Sequence, residues 1–140
     1  MKKYICIITG LILFCGMGCT DEKISQAEVA AESAAAAWLE VVDIGQYQES
    51  WHQTADFFKN AVPQEKWMQS MQDLRNPLGR NLSRDPKSTR YSTTLHGAPD
   101  GEYVVIKLES TFENKAAAQE MITLMLETDG QWRVAGYYLK

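Results

Sequence analysis

The sequence predicts an α+β domain: three N-terminal helices packed on a curved, four-stranded antiparallel sheet, cone-like in shape. Three observations predict it. Apolar residues recur at helical spacing as far as Leu74, the period drops to two from about Leu82 onward, and Asp129-Gly130 splits the last apolar stretch into a hairpin. Helices that precede strands in chain order pack together on one face of an antiparallel sheet.

At 140 residues the chain has room for one domain, and 45% hydrophobic against 23% charged residues is too apolar for a disordered chain. Residues 1–18 read as an export signal to be cut away. Lys2 and Lys3 form a positive start, Tyr4 to Phe14 is an apolar run, and Gly16 and Gly18 lead into Cys19. The run is shorter than the roughly 20 residues that span a bilayer. The expected organisation is a signal over 1–18, a polar tether over 19–24 and a single α+β domain over 25–140. Cys6 and Cys15 fall in the signal, so the mature chain keeps only Cys19 and has no internal disulfide. Gly16-Met17-Gly18-Cys19 resembles a lipobox, with Gly16 where Leu is usual. Cys19 is therefore expected to be lipidated, anchoring the protein to a membrane on the periplasmic side of the cell envelope.

Each element has a local cause. Ser25-x-x-Glu28 is a capping-box signature opening an alanine-rich helix. Ala27, Ala31, Ala34, Trp38, Val41 and Val42 gather on one side of it, away from Glu28, Glu32, Glu40 and Asp43, and Gly45 suits its stop. Tyr47, Trp51, Ala55 and Phe58 form an aromatic stripe on a second helix. Pro63 opens a third, in which Trp67, Met71 and Leu74 share a face, and Asn76-Pro77 with Gly79 ends it.

Arg90 to Leu95 is strand-like, and Pro99-Asp100-Gly101 signals a turn. Val104, Ile106, Leu108, Ser110 and Phe112 then alternate with Tyr103, Val105, Lys107 and Glu109. Glu113-Asn114-Lys115 marks the next reversal. A two-residue turn at Asp129-Gly130 pairs Glu127 with Trp132, Met125 with Val134, Thr123 with Gly136 and Met121 with Tyr138, with Gly136 a candidate bulge. Both faces of this hairpin are apolar. One meets the helices, and the other calls for a cover: a second copy, another protein or a ligand.

Several segments then look familiar together: Ala35-Ala-Ala-Trp-Leu, Val42-Asp-Ile-Gly-Gln-Tyr-Gln-Glu-Ser-Trp51, Arg75-Asn-Pro-Leu-Gly79, Ala98-Pro-Asp-Gly-Glu-Tyr-Val-Val105 and Asp129-Gly-Gln-Trp-Arg-Val-Ala-Gly-Tyr137. In this order they resemble the bacterial exported family catalogued as domain of unknown function 4019. That resemblance implies a variant of the nuclear-transport-factor-2-like cone fold and brings no established activity, so it assigns no catalytic residue.

Net charge is −4 and becomes −6 without Lys2 and Lys3, leaving 12 basic against 18 acidic residues, which excludes nucleic acid as the main partner. Two histidines and one retained cysteine are too few for a metal site, and no cofactor motif is present. No Gly-x-Ser-x-Gly elbow surrounds any serine. His52 and Asp56, at helical spacing, read as surface residues, and His96 as a strand-end residue. Glu109 and Glu120 could meet across the sheet, although Glu109 alternates with the outward set and reads as solvated or lysine-paired. Two features depart from background. Arg75, Arg80, Arg84, Lys87 and Arg90 cluster within 16 residues and form a candidate anion or partner patch on a loop. Tyr47, Trp51, Trp67, Trp132 and Tyr137 could line a pocket, or simply fill the core. The sequence is read as a non-enzymatic envelope lipoprotein that binds a second copy or an envelope protein. The alternative is a small-ligand carrier or enzyme with a cone-shaped pocket.

Overall fold

The computed structural model describes residues 18–140, with side chains from Thr20 onward. The expected export signal and the Cys19 side chain lie outside the described residues, except for the backbone of Gly18 and Cys19. Helix α1 spans Gly18–Asp43. It runs back through the stretch read as a tether, so Ser25 is an interior residue and not a cap. Asp21 in the first turn complements the helix dipole, Gln26 bonds Glu22 at 3.2 Å, and Lys23 pairs with Glu102 at 3.0 Å. Ala31, Ala35, Trp38, Leu39 and Val42 are buried, a stripe one residue over from the predicted one, with Ala34 and Val41 at its margin. Gly45, at φ +77°, ends the helix. Its N–H bonds Val42 O and the N–H of Gln46 bonds Val41 O, closing a Schellman turn.

The predicted second helix is interrupted. It forms α2, Tyr47–His52, and α3, Asp56–Ala61, giving four α-helices among the described residues where the periodicity predicts three. The reason is tertiary. Thr54 makes a parallel bridge to Val134, Ala55 N–H bonds Val134 O at 2.8 Å, and the Thr54 hydroxyl donates to Trp51 O at 2.7 Å. Ladder bonds to the sheet thus replace helical ones, and Ala55 and Phe58 remain buried as the stripe requires. Pro63 immediately precedes α4, Gln64–Arg75, and a 3₁₀ turn, Asn76–Leu78, leads to Gly79 at φ +73°.

The sheet is an antiparallel meander in the order β1 (Asn81–Ser92), β2 (Tyr103–Phe112), β3 (Lys115–Leu126), β4 (Trp132–Leu139). Strand β1 starts nine residues before the predicted Arg90 and ends at Ser92, so the arginine-rich stretch is mostly strand. Pro86 is tolerated because β1 is an edge strand with a register shift between Pro86 and Ser88. Helix α1 guards that edge further on, where the Glu28 carboxylate accepts the Tyr91 N–H at 3.0 Å.

In β2 the even positions Val104, Ile106, Leu108, Ser110 and Phe112 are all buried, as predicted. The last hairpin departs from prediction twice, and the departures cancel. Gly130 N–H bonds Glu127 O and Glu127 N–H bonds Gln131 O, so the loop has three residues and Leu126 pairs with Trp132. A register shift between Thr123 and Leu124 then restores the predicted pairs Thr123 with Gly136 and Met121 with Tyr138.

On the outer face of the sheet the β1–β2 loop covers one end. Tyr103 is fully buried there and its hydroxyl donates to Pro99 O. Met121 and Tyr138, 36% and 53% exposed, remain open at the other end. Inside, Trp38, Trp67 and Tyr137 pack with centroids 5.4–6.4 Å apart, and Phe58 stands edge-on to Trp67 at 5.3 Å.

Candidate functional site

Five elements deliver one charged or hydroxyl side chain each to a common point. Asp43 ends α1, Arg75 ends α4, Arg84 stands on β1, Glu120 on β3 and Tyr137 on β4. Arg84 grips Asp43 with both terminal nitrogens, Nη1 to Oδ2 at 2.6 Å and Nη2 to Oδ1 at 2.8 Å. Its Nε donates to Glu120 Oε1 at 2.8 Å. The Tyr137 hydroxyl donates to the other Glu120 oxygen at 2.7 Å. Arg75 Nη2 bonds Asp43 Oδ1 at 2.6 Å and Nη1 reaches the Tyr137 oxygen at 3.4 Å, closing the ring. The Arg75 guanidinium also lies 4.8 Å from the Phe112 ring centre.

Two cations and two anions cancel, which is what burial demands. The Glu120 side chain is 0% exposed and that of Arg75 4%. Burial pushes the Tyr137 hydroxyl well above 10.0, and the charge and hydrogen bond of Glu120 push the same way, so it stays protonated as a donor. Both Glu120 oxygens are occupied. Glu120 and Tyr137 are thus held to each other as acceptor and donor.

The predicted sites distribute differently from their sequence grouping. Of the arginine patch, Arg75 and Arg84 face inward to the ring. Arg80 pairs with Glu113 at 2.7 Å and Lys87 with Glu109 at 3.2 Å, while Arg90 is exposed. Among the described residues, four of the five cations of the patch are thus ion-paired, each with a carboxylate from a distant segment, and Arg90 has no such partner. Of the aromatic set, Trp67 is buried, and Tyr47, Trp51, Trp132 and Tyr137 pack half-buried against the same core cluster. The cluster fills the interior. Glu109 and Glu120 lie on opposite faces of the sheet, since Glu109 pairs with Gln119 in register and Leu108 with Glu120. His52 is exposed, its Nε2 lying 3.0 Å from Gln64 Nε2, and His96 is exposed in the β1–β2 loop. Among the described residues no group of three or more His, Cys, Asp or Glu could hold a metal, and no helix is long and apolar enough to cross a membrane.

Sequence reasoning missed Asp43, and it raised Glu120 only as a partner for Glu109, which lies on the other face. Glu120 did leave a signal: it shares the alternation of Ile122 and Leu124, an acid in an apolar register. Asp43 left none, because its partners lie 32 and 41 residues away.

An open cavity adjoins the ring on the α1 side. A slot of about 350 Å³ runs between α1 and β1, with Glu32, Ala35, Ala36, Leu39, Glu40 and Asp43 on the helix side. Arg84 and Pro86 of β1 form the opposite wall, and Ile106 and Leu108 of β2 the floor. Contacts cross it at both ends: the Thr89 hydroxyl to Glu32 at one, Arg84 to Asp43 at the other.

Fold and site together define a small helix-on-meander domain with a self-neutralised charge ring, an aromatic core and a slot beside α1. The chain belongs to the family described as "Protein of unknown function (DUF4019)", whose model matches residues 34–137 and so takes in all five ring residues. No curated protein matches the chain.

Two outcomes are expected at the ring. Arg84→Met strands Glu120 in the interior and lowers unfolding free energy by about 3–5 kcal/mol in urea denaturation, whereas adding Glu120→Leu recovers most of the loss. A double variant as unstable as the single one would show that the ring does not act as a unit.

The second outcome concerns pH. Burial alone would raise the Asp43 carboxyl, but hydrogen bonds from Arg84 and Arg75, with their charges, hold it below 3.8. A carboxyl depressed by folding stabilises fully above its unfolded value and ceases to do so as pH falls through the folded one. Stability therefore drops below about pH 4, and Asp43→Asn shallows that drop. Glu102, Glu113 and Asp129 are also depressed and act in the same direction.

Proposed function

We propose that this protein is exported, cut before Cys19 and held by lipid at that residue to a membrane on the periplasmic side of the cell envelope, where its folded body binds a partner and performs no chemistry. The closed ring carries the binding reading. Buried Glu120 and Arg75 spend their hydrogen bonds on Arg84, Tyr137 and Asp43 of the same ring. The bent sheet with α1 across it is read as a cone of the nuclear-transport-factor-2-like kind whose interior is aromatic core. The partner surface is the open end of the outer sheet face, around Met121 and Tyr138, which suits a second copy of the chain or an envelope protein.

A second reading, a small-ligand carrier, is favoured by the slot beside α1, an apolar cavity within the usual ligand range of about 300–1,000 Å³.

Intact mass of the protein from its producing cells tests the anchor. The expected species begins at Cys19 and carries acyl groups, and Cys19→Ser leaves the membrane fraction. A mass retaining residues 1–18 without acylation would remove the envelope from the reading.

The outer face is tested with Tyr138→Cys, the only free thiol once Cys19 is acylated. Mild oxidation in intact cells is expected to give a homodimer mass or one discrete larger adduct. Absence of any adduct would discard that face as a contact.

A further inference from the structure

We propose that the slot between α1 and β1 binds a small linear aliphatic molecule with a cationic head group, an alkylammonium being the simplest case. The inference develops the carrier reading and rests on it. Shape comes first. Glu32 to Asp43 spans about 16 Å of helix at 1.5 Å per residue, so the slot is long and narrow. Ala35 and Ala36 leave open the width that larger side chains would fill, and Leu39, Ile106 and Leu108 make the remaining lining apolar. The contacts closing both ends prevent a polypeptide from threading through. Entry is sideways, between Ala36 and Glu40 on one lip and Pro86 on the other, which a single flexible chain can manage.

Charge selects the head group. Glu32, Glu40 and Asp43 line the slot against a single cation, Arg84. Arg84 is already held by Asp43 and Glu120 through all three of its nitrogens, which leaves little to offer a ligand anion. Glu40 has no ion-pair partner among the described residues. The other cations of β1 do not answer it: Lys87 pairs with Glu109, and Arg90 stands opposite Val105, on the side of β2 that bears Lys107 and Glu109. An ammonium at the mouth meets unneutralised carboxylate, and a carboxylate or phosphate head is repelled there. The same arginine-rich stretch that suggests an anion site in sequence thus forms the wall of a slot that prefers a cation.

The test uses the full chain in lipid nanodiscs, with amide NMR shifts followed on addition of octylammonium, 1-octanol and octanoate, free probe being corrected against empty discs. Octylammonium is expected to saturate with shifts centred on Ala35, Ala36, Leu39 and Ile106. It should bind about fivefold tighter than octanol and about tenfold tighter than octanoate. Ala36→Trp, a change at an exposed helix position, should abolish the shifts, and Glu40→Lys should invert the order of the two charged probes. Octanol or octanoate binding the slot as well as octylammonium would overturn the head-group assignment and leave the carrier reading standing. No saturable shift in the slot with any of the three would overturn both.

Discussion

Glu120 constrains the rest of the fold more than any other residue. Its carboxylate has no contact with water, and an unpaired charge so placed would cost several kcal/mol. It must therefore be met, and the groups that meet it come from β1 and β4, on either side of its own strand. Arg84 in turn requires Asp43, and Asp43 draws in Arg75. One buried acid on β3 so ties the C-terminal ends of α1 and α4 to both edge strands. Such a ring stabilises little relative to a well-packed apolar one. Its larger effect is on specificity, since a one-residue slip of β3 would expose Glu120 and turn Met121 inward against the arginines.

The ring and the slot are two consequences of how α1 crosses the sheet. The helix turns a bulky stripe, Trp38 with Val42, to the aromatic core. Its neighbouring stripe of Glu32, Ala35, Ala36, Leu39, Glu40 and Asp43 is too small to reach β1 across the gap. Only the polar ends of that second stripe make contact, Glu32 with Thr89 and Asp43 with Arg84. The alanines that let α1 lie close to the sheet on one side leave it standing off on the other.

Local pattern made the order of elements legible, and long-range pairing hid the site. The strict alternation of Val104 to Phe112 gave the inner face of β2 directly, because one strand's period depends only on itself. The break between α2 and α3 had no Gly or Pro to announce it: Thr54 leaves the helix for a bond to Val134, eighty residues on. The arginine cluster was visible as composition, yet four of its five side chains are met by carboxylates from other segments. The hairpin shows a subtler failure. Asp129-Gly130 correctly placed the reversal, but the turn took a third residue, and only the bulge near Gly136, which absorbs that extra residue, brings Met121 back opposite Tyr138.

The inertness of the ring follows from proton affinity. A carboxylate facing a tyrosine in a protein interior is the geometry of many acid–base pairs, and Glu120 with Tyr137 has the distance for one. A transfer near neutral pH needs two partners of similar affinity. Here burial, then the charge of Glu120, drives the Tyr137 hydroxyl further from neutrality. The remaining neighbours are arginines, which Asp43 and Glu120 make still harder to deprotonate. The proton stays on the tyrosine, the charges stay on the arginines, and the cluster acts as a fixed polar clasp. The side of α1 that the clasp leaves uncovered carries both apolar surface and acidic side chains.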